Sequence, residues 1–87
     1  MRDLPGWMTL SDIPILEFLH EHDLELPPTA LYRNLQRHGY DVAYATVRAR
    51  LNEELENGFV KKDANGYYEL TDAGRQWVAG DDVDKGS

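Results

Sequence analysis

Apolar residues recur at helical spacing in three successive stretches of the chain. In the first, Ile13, Leu16 and Leu19 mark one face, which Ile15 and Phe18 widen, the period of an amphipathic helix. Ser11 stands where an N-cap belongs, and Asp12 and Pro14 fall in the first turn, so a helix is predicted from there to near His22. After a connector at residues 23–27, Pro28 opens a second helix that turns Leu31, Tyr32 and Leu35 inward, and Gly39 closes it as a left-handed cap. A third helix is predicted over residues 43–57, with Val47, Leu51 and Leu55 inward and Gly58 as its stop.

Beyond Gly58 the pattern changes. Phe59-Val60-Lys61-Lys62 and Tyr67-Tyr68-Glu69-Leu70 are rich in aromatic and β-branched residues, and Asp63-Ala64-Asn65-Gly66 separates them. Asn-Gly supplies the positive φ angles of a tight hairpin turn. Thr71 then caps a short fourth helix through Ala79, with Asp72 at its positive end. The chain divides into a lead-in at residues 1–8 that holds Trp7, one domain at 9–79 and an acidic flexible tail at 80–87. The fold class is mainly α with a small β-hairpin (α+β). Its order, three helices, a hairpin and a helix, is the plan of a winged helix-turn-helix.

With 87 residues, the chain has room for one core. A domain of this size buries only about 60 to 65 per cent of its unfolded surface, so a deep catalytic cavity would compete with that core. The absence of cysteine excludes disulfides, thiolate zinc sites and cysteine nucleophiles. Residues 1–6 contain no apolar run of a secretory signal, and no stretch approaches the roughly 20 apolar residues of a membrane span. A soluble, cytoplasmic protein with no membrane partner is expected.

The net charge of −7 has the wrong sign for a polyanion partner. Its distribution changes the picture. Within residues 31–52, Arg33, Arg37, Arg48 and Arg50 stand against Asp41 alone, a local +3 that leaves −10 for the rest. Lysine is confined to Lys61, Lys62 and Lys85. Abundant scattered acid with arginine preferred over lysine fits a halophilic, archaeal protein whose acidic surface keeps it soluble in concentrated salt, the alternative being an ordinary acidic mesophilic domain.

The stretch Thr46-Val47-Arg48-Ala49-Arg50-Leu51, followed by Leu55-Glu56-Asn57-Gly58-Phe59-Val60, resembles the recognition helix and first wing strand of winged-helix regulators. Tyr67-Tyr68-Glu69-Leu70-Thr71-Asp72-Ala73-Gly74-Arg75 is similar to the segment that closes the wing and opens the last helix in archaeal members. With Ile15-Leu16-Glu17-Phe18-Leu19 and Leu26-Pro27-Pro28, the pattern resembles the haloarchaeal phage phi-H repressor-like family over about residues 9–79. The resemblance implies a DNA-binding transcriptional regulator. Two departures are the absence of a hydroxyl cap in Gly39-Tyr40-Asp41-Val42-Ala43 and the four-residue step from Leu51 to Leu55.

A wheel centred on Val47, Leu51 and Leu55 sends Thr46, Ala49 and Glu53 outward and sets Arg48 and Arg50 on the flanks, where they could straddle a groove. Ala45 and Ala49 let the backbone approach base edges. Tyr44 either packs inward or reaches a phosphate. Glu53, Glu54 and Glu56 crowd the carboxyl end and repel DNA, so only the first half of the helix enters the groove. Lys61, Lys62 and Asn65 offer phosphate contacts on the wing. The candidate DNA-binding residues are these three with Arg33, Arg37, Tyr44, Ala45, Thr46, Arg48, Ala49 and Arg50.

His20 and His22 diverge by about 200° on a helix, and with His38 they read as surface residues. No phosphate loop or catalytic constellation can be assembled. The sequence therefore predicts no enzyme, metal, cofactor or small-molecule ligand. It predicts a repressor of the helix-in-major-groove kind on double-stranded DNA, acting as a homodimer. The competing reading is a protein-interaction module without DNA binding, with Trp7 and Trp77 as anchors rather than core.

Overall fold

The computed structural model describes residues 4–80, and of the tail assigned to 80–87 all but Gly80 lies outside them. Helices α1 (Asp12–His22), α2 (Pro28–Arg37) and α3 (Tyr44–Glu56) precede strands β1 (Val60–Lys62) and β2 (Tyr68–Leu70) and helix α4 (Asp72–Val78). The winged helix order predicted from the pattern is the observed one.

Local chemistry sets the element ends. Pro28 starts α2 from an extended Pro27. Gly39 and Gly58 adopt φ +88° and +80°, which allows paired closing bonds. Gly39 N–H donates to Gln36 and Tyr40 N–H to Leu35, as Gly58 does to Leu55 and Phe59 to Glu54, so orphan carbonyls of both helices are satisfied. The Thr71 hydroxyl accepts from Gly74 N–H at 3.1 Å and donates to the Gly58 carbonyl at 2.6 Å, tying α4 to the end of α3. A Cβ on Gly74 would run into the Phe59 carbonyl. Only glycine permits that approach.

Met8, Ile15, Leu16, Phe18, Leu19, Leu31, Leu35, Val47, Leu51, Val60, Tyr68 and Leu70 form one core shared by all elements except α4, whose Trp77 and Val78 pack against it. The hairpin pairs Val60 with Leu70 and Lys62 with Tyr68. Leu26 adds a one-residue third strand, exchanging bonds of 2.9 and 2.8 Å with Tyr68, and Pro27 ends it because proline has no N–H to continue the ladder.

Three local expectations change. Ser11 makes no cap bond; Thr9 takes that role, its N–H donating to Asp12 Oδ2 at 2.7 Å as the carboxylate half of a capping box. In the wing turn only Gly66 has positive φ. Asp63 accepts from Asn65 and Tyr67 N–H through Oδ1, and Gly66 N–H bonds the Asp63 carbonyl, so a turn stiffened by an aspartate side chain replaces the two-residue one. The largest change concerns Glu54, expected on the surface and in fact fully buried, as is Asp12.

These two acids meet Arg50. Its Nε donates to both Asp12 oxygens at 3.0 and 3.1 Å, its Nη2 lies 2.9 Å from Asp12 Oδ2, and Nη2 also donates to the Trp7 carbonyl at 2.8 Å. Burial pushes the Asp12 carboxyl up, but hydrogen bonds with Glu54, Arg50 and Thr9, and the Arg50 charge, outweigh it and hold the group below its ordinary value. Glu54 is different. No amide or hydroxyl among the described residues donates to its oxygens, and it faces another acid. Two carboxylates cannot hydrogen-bond unless one keeps a proton, so Glu54 is the protonated partner and donates to Asp12. Burial first, then the hydrogen bond to Asp12 and the Asp12 charge, push it up to about 11, against the opposing pull of Arg50.

Folding therefore makes Glu54 take up a proton at any pH between the ordinary carboxyl range and about 11. Its contribution is full below that range and is lost as pH rises through the window, whereas Asp12 loses its contribution as pH falls through its lowered value. Stability should peak in mild acid and decline toward alkali by at most about 1.4 kcal/mol per pH unit from Glu54. Urea unfolding between about pH 5 and pH 9 should show this slope in the native protein and its flattening in Glu54→Gln, which keeps a donor but cannot ionise. An identical slope in both proteins would contradict the assignment.

Candidate nucleic-acid interface

The buried triad rotates α3 relative to the sequence-based wheel. Val47, Leu51 and Glu54 are fully buried, with Arg50 and Leu55 partly so. Ala45, Arg48, Ala49 and Asn52 are exposed and follow the i, i+3, i+4, i+7 spacing of a single face. Arg50 is corrected accordingly: its side chain is only 16% exposed, its guanidinium is occupied by Asp12 and Trp7, and it turns toward α1 instead of outward. Thr46 is half-buried at the margin, and Glu53 and Glu56 are exposed toward the carboxyl end.

Exposed Arg33 and Arg37, one turn apart on α2, line an open groove of about 410 Å³ with Pro27, Thr29, Ala30 and Asn34. Thr29 connects this groove to α3. Its hydroxyl donates to Tyr44 Oη at 3.5 Å, while the Tyr44 ring stands edge-on to Tyr32 at 5.6 Å. Tyr44 thus packs its ring against Tyr32 while the residue stays exposed. The Thr29 hydrogen bond, and a further bond and charge from Arg48, lower the phenol's pKa against a smaller upward effect of burial. Neither Pro27 nor Ala43 supplies a side-chain cap, so the positive ends of α2 and α3 stay open to anionic groups. Arg33, Arg37, Arg48 and Tyr44 form one basic and hydrogen-bonding side of the helix pair.

The wing is less basic than its lysines suggest. Lys61 pairs with Glu69 at 3.2 Å, and Lys62 lies over the Tyr68 ring, 5.7 Å from its centroid. Asn65 is exposed at the tip.

Sequence reasoning missed Thr29 and Asn52. The signal for Asn52 was Glu54, which is seven residues beyond Val47 and three beyond Leu51; counting it as an inward position moves the outward face onto Asn52.

Trp7 meets Phe59 edge-on at 5.3 Å, and Phe59 lies 6.0 Å from Trp77, so both tryptophans pack against the core. His22 and His38 flank the Phe18 ring at 4.3 and 5.3 Å. Among the described residues, no three His, Cys, Asp or Glu groups are arranged to hold a metal ion, and no helix is long and apolar enough to cross a membrane.

Comparison with known proteins bears on the family and the fold. Residues 1–85 match the model of the winged helix-turn-helix phage repressor family. The crystal structure of the PhiH1 repressor-like protein from Haloarcula marismortui is 30% identical and superposes with a TM-score of 0.77, over 92% of this chain and 86% of that one. No curated protein shows significant similarity.

The different placements of the two arginines on α3 separate in a thermal melt. Arg50→Met removes one member of a buried pair and should cost about 3 to 5 kcal/mol, whereas Arg48→Ala should change stability by less than about 0.5 kcal/mol. Equal losses would contradict the inward assignment of Arg50.

Proposed function

Because the chain belongs to the winged helix-turn-helix phage repressor family, a family of DNA-binding regulators, we propose that it binds duplex DNA sequence-specifically and represses transcription by seating α3 in the major groove. One observation carries this reading: the stripe Ala45, Arg48, Ala49 and Asn52 is exposed along one face of α3, and Tyr44 at the start of the same helix is joined through Thr29 to the α2 groove that Arg33 and Arg37 line. Small residues let the helix backbone approach base edges, and arginines at its side meet phosphates. Tyr44, with Thr29 behind it, offers a phenol to the same backbone. Lys61, Lys62 and Asn65 give the wing secondary phosphate contacts, and Thr46 sits at the groove margin. Glu53 and Glu56 mark where the helix leaves the DNA, since phosphates and carboxylates repel.

The net charge of −7 opposes this encounter in dilute salt. Salt has two effects here: it screens acid from acid and acid from phosphate, and it weakens arginine–phosphate contacts through counterion release. In a protein with so large an acid excess the first effect governs, so affinity should hold or rise from about 0.05 to 2 M KCl, a range in which the Debye length falls below about 10 Å, and the melting temperature should rise with it. The combined variant Arg33→Ala, Arg37→Ala, Arg48→Ala should keep its fold and lose binding by at least about tenfold, a loss of phosphate and base contacts. Unchanged affinity in that variant would overturn the docking, and a steep decline with salt in the native protein would overturn the halophilic account.

One recognition helix spans few base pairs, and paired half-sites add affinity through joint engagement, which supports a homodimer. The half-buried aromatic group Trp7, Phe59 and Trp77, together with a Leu10 three residues after Trp7 that is 74% exposed, supports a dimer contact built from the lead-in and α4. Sedimentation equilibrium at micromolar concentration should return twice the chain mass, and Leu10→Glu should shift it toward monomer. A native protein that is monomeric both free and on DNA would refute the dimer.

A further inference from the structure

We propose that Asn52 is a specificity-determining residue, reading an adenine in the major groove through its side-chain amide; the inference rests on the α3 docking above. Asparagine is a poor residue for the interior of a helix, and three of the four in this chain have a local use. Asn34 and Asn57 return their amides to the Ala30 and Glu53 carbonyls at 2.7 and 2.8 Å, and Asn65 occupies the wing turn. Asn52 is exposed in the third turn of α3, and its amide forms no hydrogen bond within the described residues. It contributes nothing to the fold that alanine would not contribute better.

Its neighbours suit it to base reading. A carboxamide pairs with adenine by donating to N7 and accepting from the N6 amino group, a two-bond match no other base offers in the major groove. The side chain is short, so the helix backbone must come close, and longer residues on the same face would hold it away. Ala45 and Ala49, seven and three residues earlier on that face, are the two smallest side chains available for this approach. Arg48 lies one turn before Asn52, about 6 Å along the axis, so the base pairs they meet are about two steps apart. Glu56, one turn later and also exposed, makes Asn52 the last side chain of the face that can enter the groove.

The test is selection of binding sites from random duplex by the native protein and by Asn52→Ala, with affinities measured on the selected site and on its single-base variants. The native protein should require adenine at one position of each half-site. Asn52→Ala should lose that preference alone and bind the adenine site about 5- to 150-fold more weakly, the value of one bidentate base contact, with an unchanged or higher melting temperature. An undiminished adenine preference, or a uniform loss across all sequences as for a phosphate contact, would overturn the inference and leave the docking of α3 standing. A native protein that selects no sequence would overturn the docking itself and the role of Asn52 with it.

Discussion

The arrangement depends on one guanidinium that is largely withdrawn from solvent. Arg50 joins α3 to the Trp7 carbonyl of the lead-in and the Asp12 carboxylate that opens α1, 43 and 38 residues away in sequence. Taking charges out of water is expensive, and a pair of this kind stabilises only when its remaining hydrogen-bonding capacity is filled. Thr9 fills one side of Asp12 and protonated Glu54 another, which leaves one positive and one negative charge in the group. Losing any member leaves a buried polar group without its partner.

The consequence for function is rotational. Successive residues of a helix are separated by about 100°, so fixing Arg50 and Glu54 inward determines which residues face outward. Those residues are small, basic or amide-bearing, while the acids are exposed only toward the end of the helix. The Schellman closures at Gly39 and Gly58 and the Thr71 bridge hold α2, the wing and α4 around the same helix. A protein with a large acid excess can thus present basic side chains on this helix pair, because Arg33, Arg37 and Arg48 are exposed while Arg50 is engaged inside by Asp12 and Trp7.

Much of this was legible in the chain. Pro28, Gly39, Gly58 and Thr71 mark helix ends by backbone chemistry that hardly depends on tertiary context, and the change from helical to strand composition at Phe59 identifies the wing. The triad was not legible, because hydrophobic periodicity counts only apolar residues, and a buried Glu54 looks like surface until Asp12 and Arg50 are brought to it from elsewhere. The wheel was therefore turned by part of a residue step, enough to exchange Arg50 for Asn52 on the outward face. Leu26 escaped for a related reason: a single bridging residue before two prolines has no periodicity to detect.

The central claim is that the face of α3 opposite the buried triad, together with α2, is what meets DNA. An NMR titration of the protein with the duplex it selects tests this residue by residue. The account predicts that the largest shifts fall on the backbone amides of residues 43–52, the Asn52 side-chain amide and the Arg33 and Arg37 region, while the Arg50 Nε–H resonance stays in place and protected from exchange. Shifts concentrated instead on the Trp7, Phe59 and Trp77 face, or an Arg50 Nε–H that moves with DNA as Arg48 does, would contradict it.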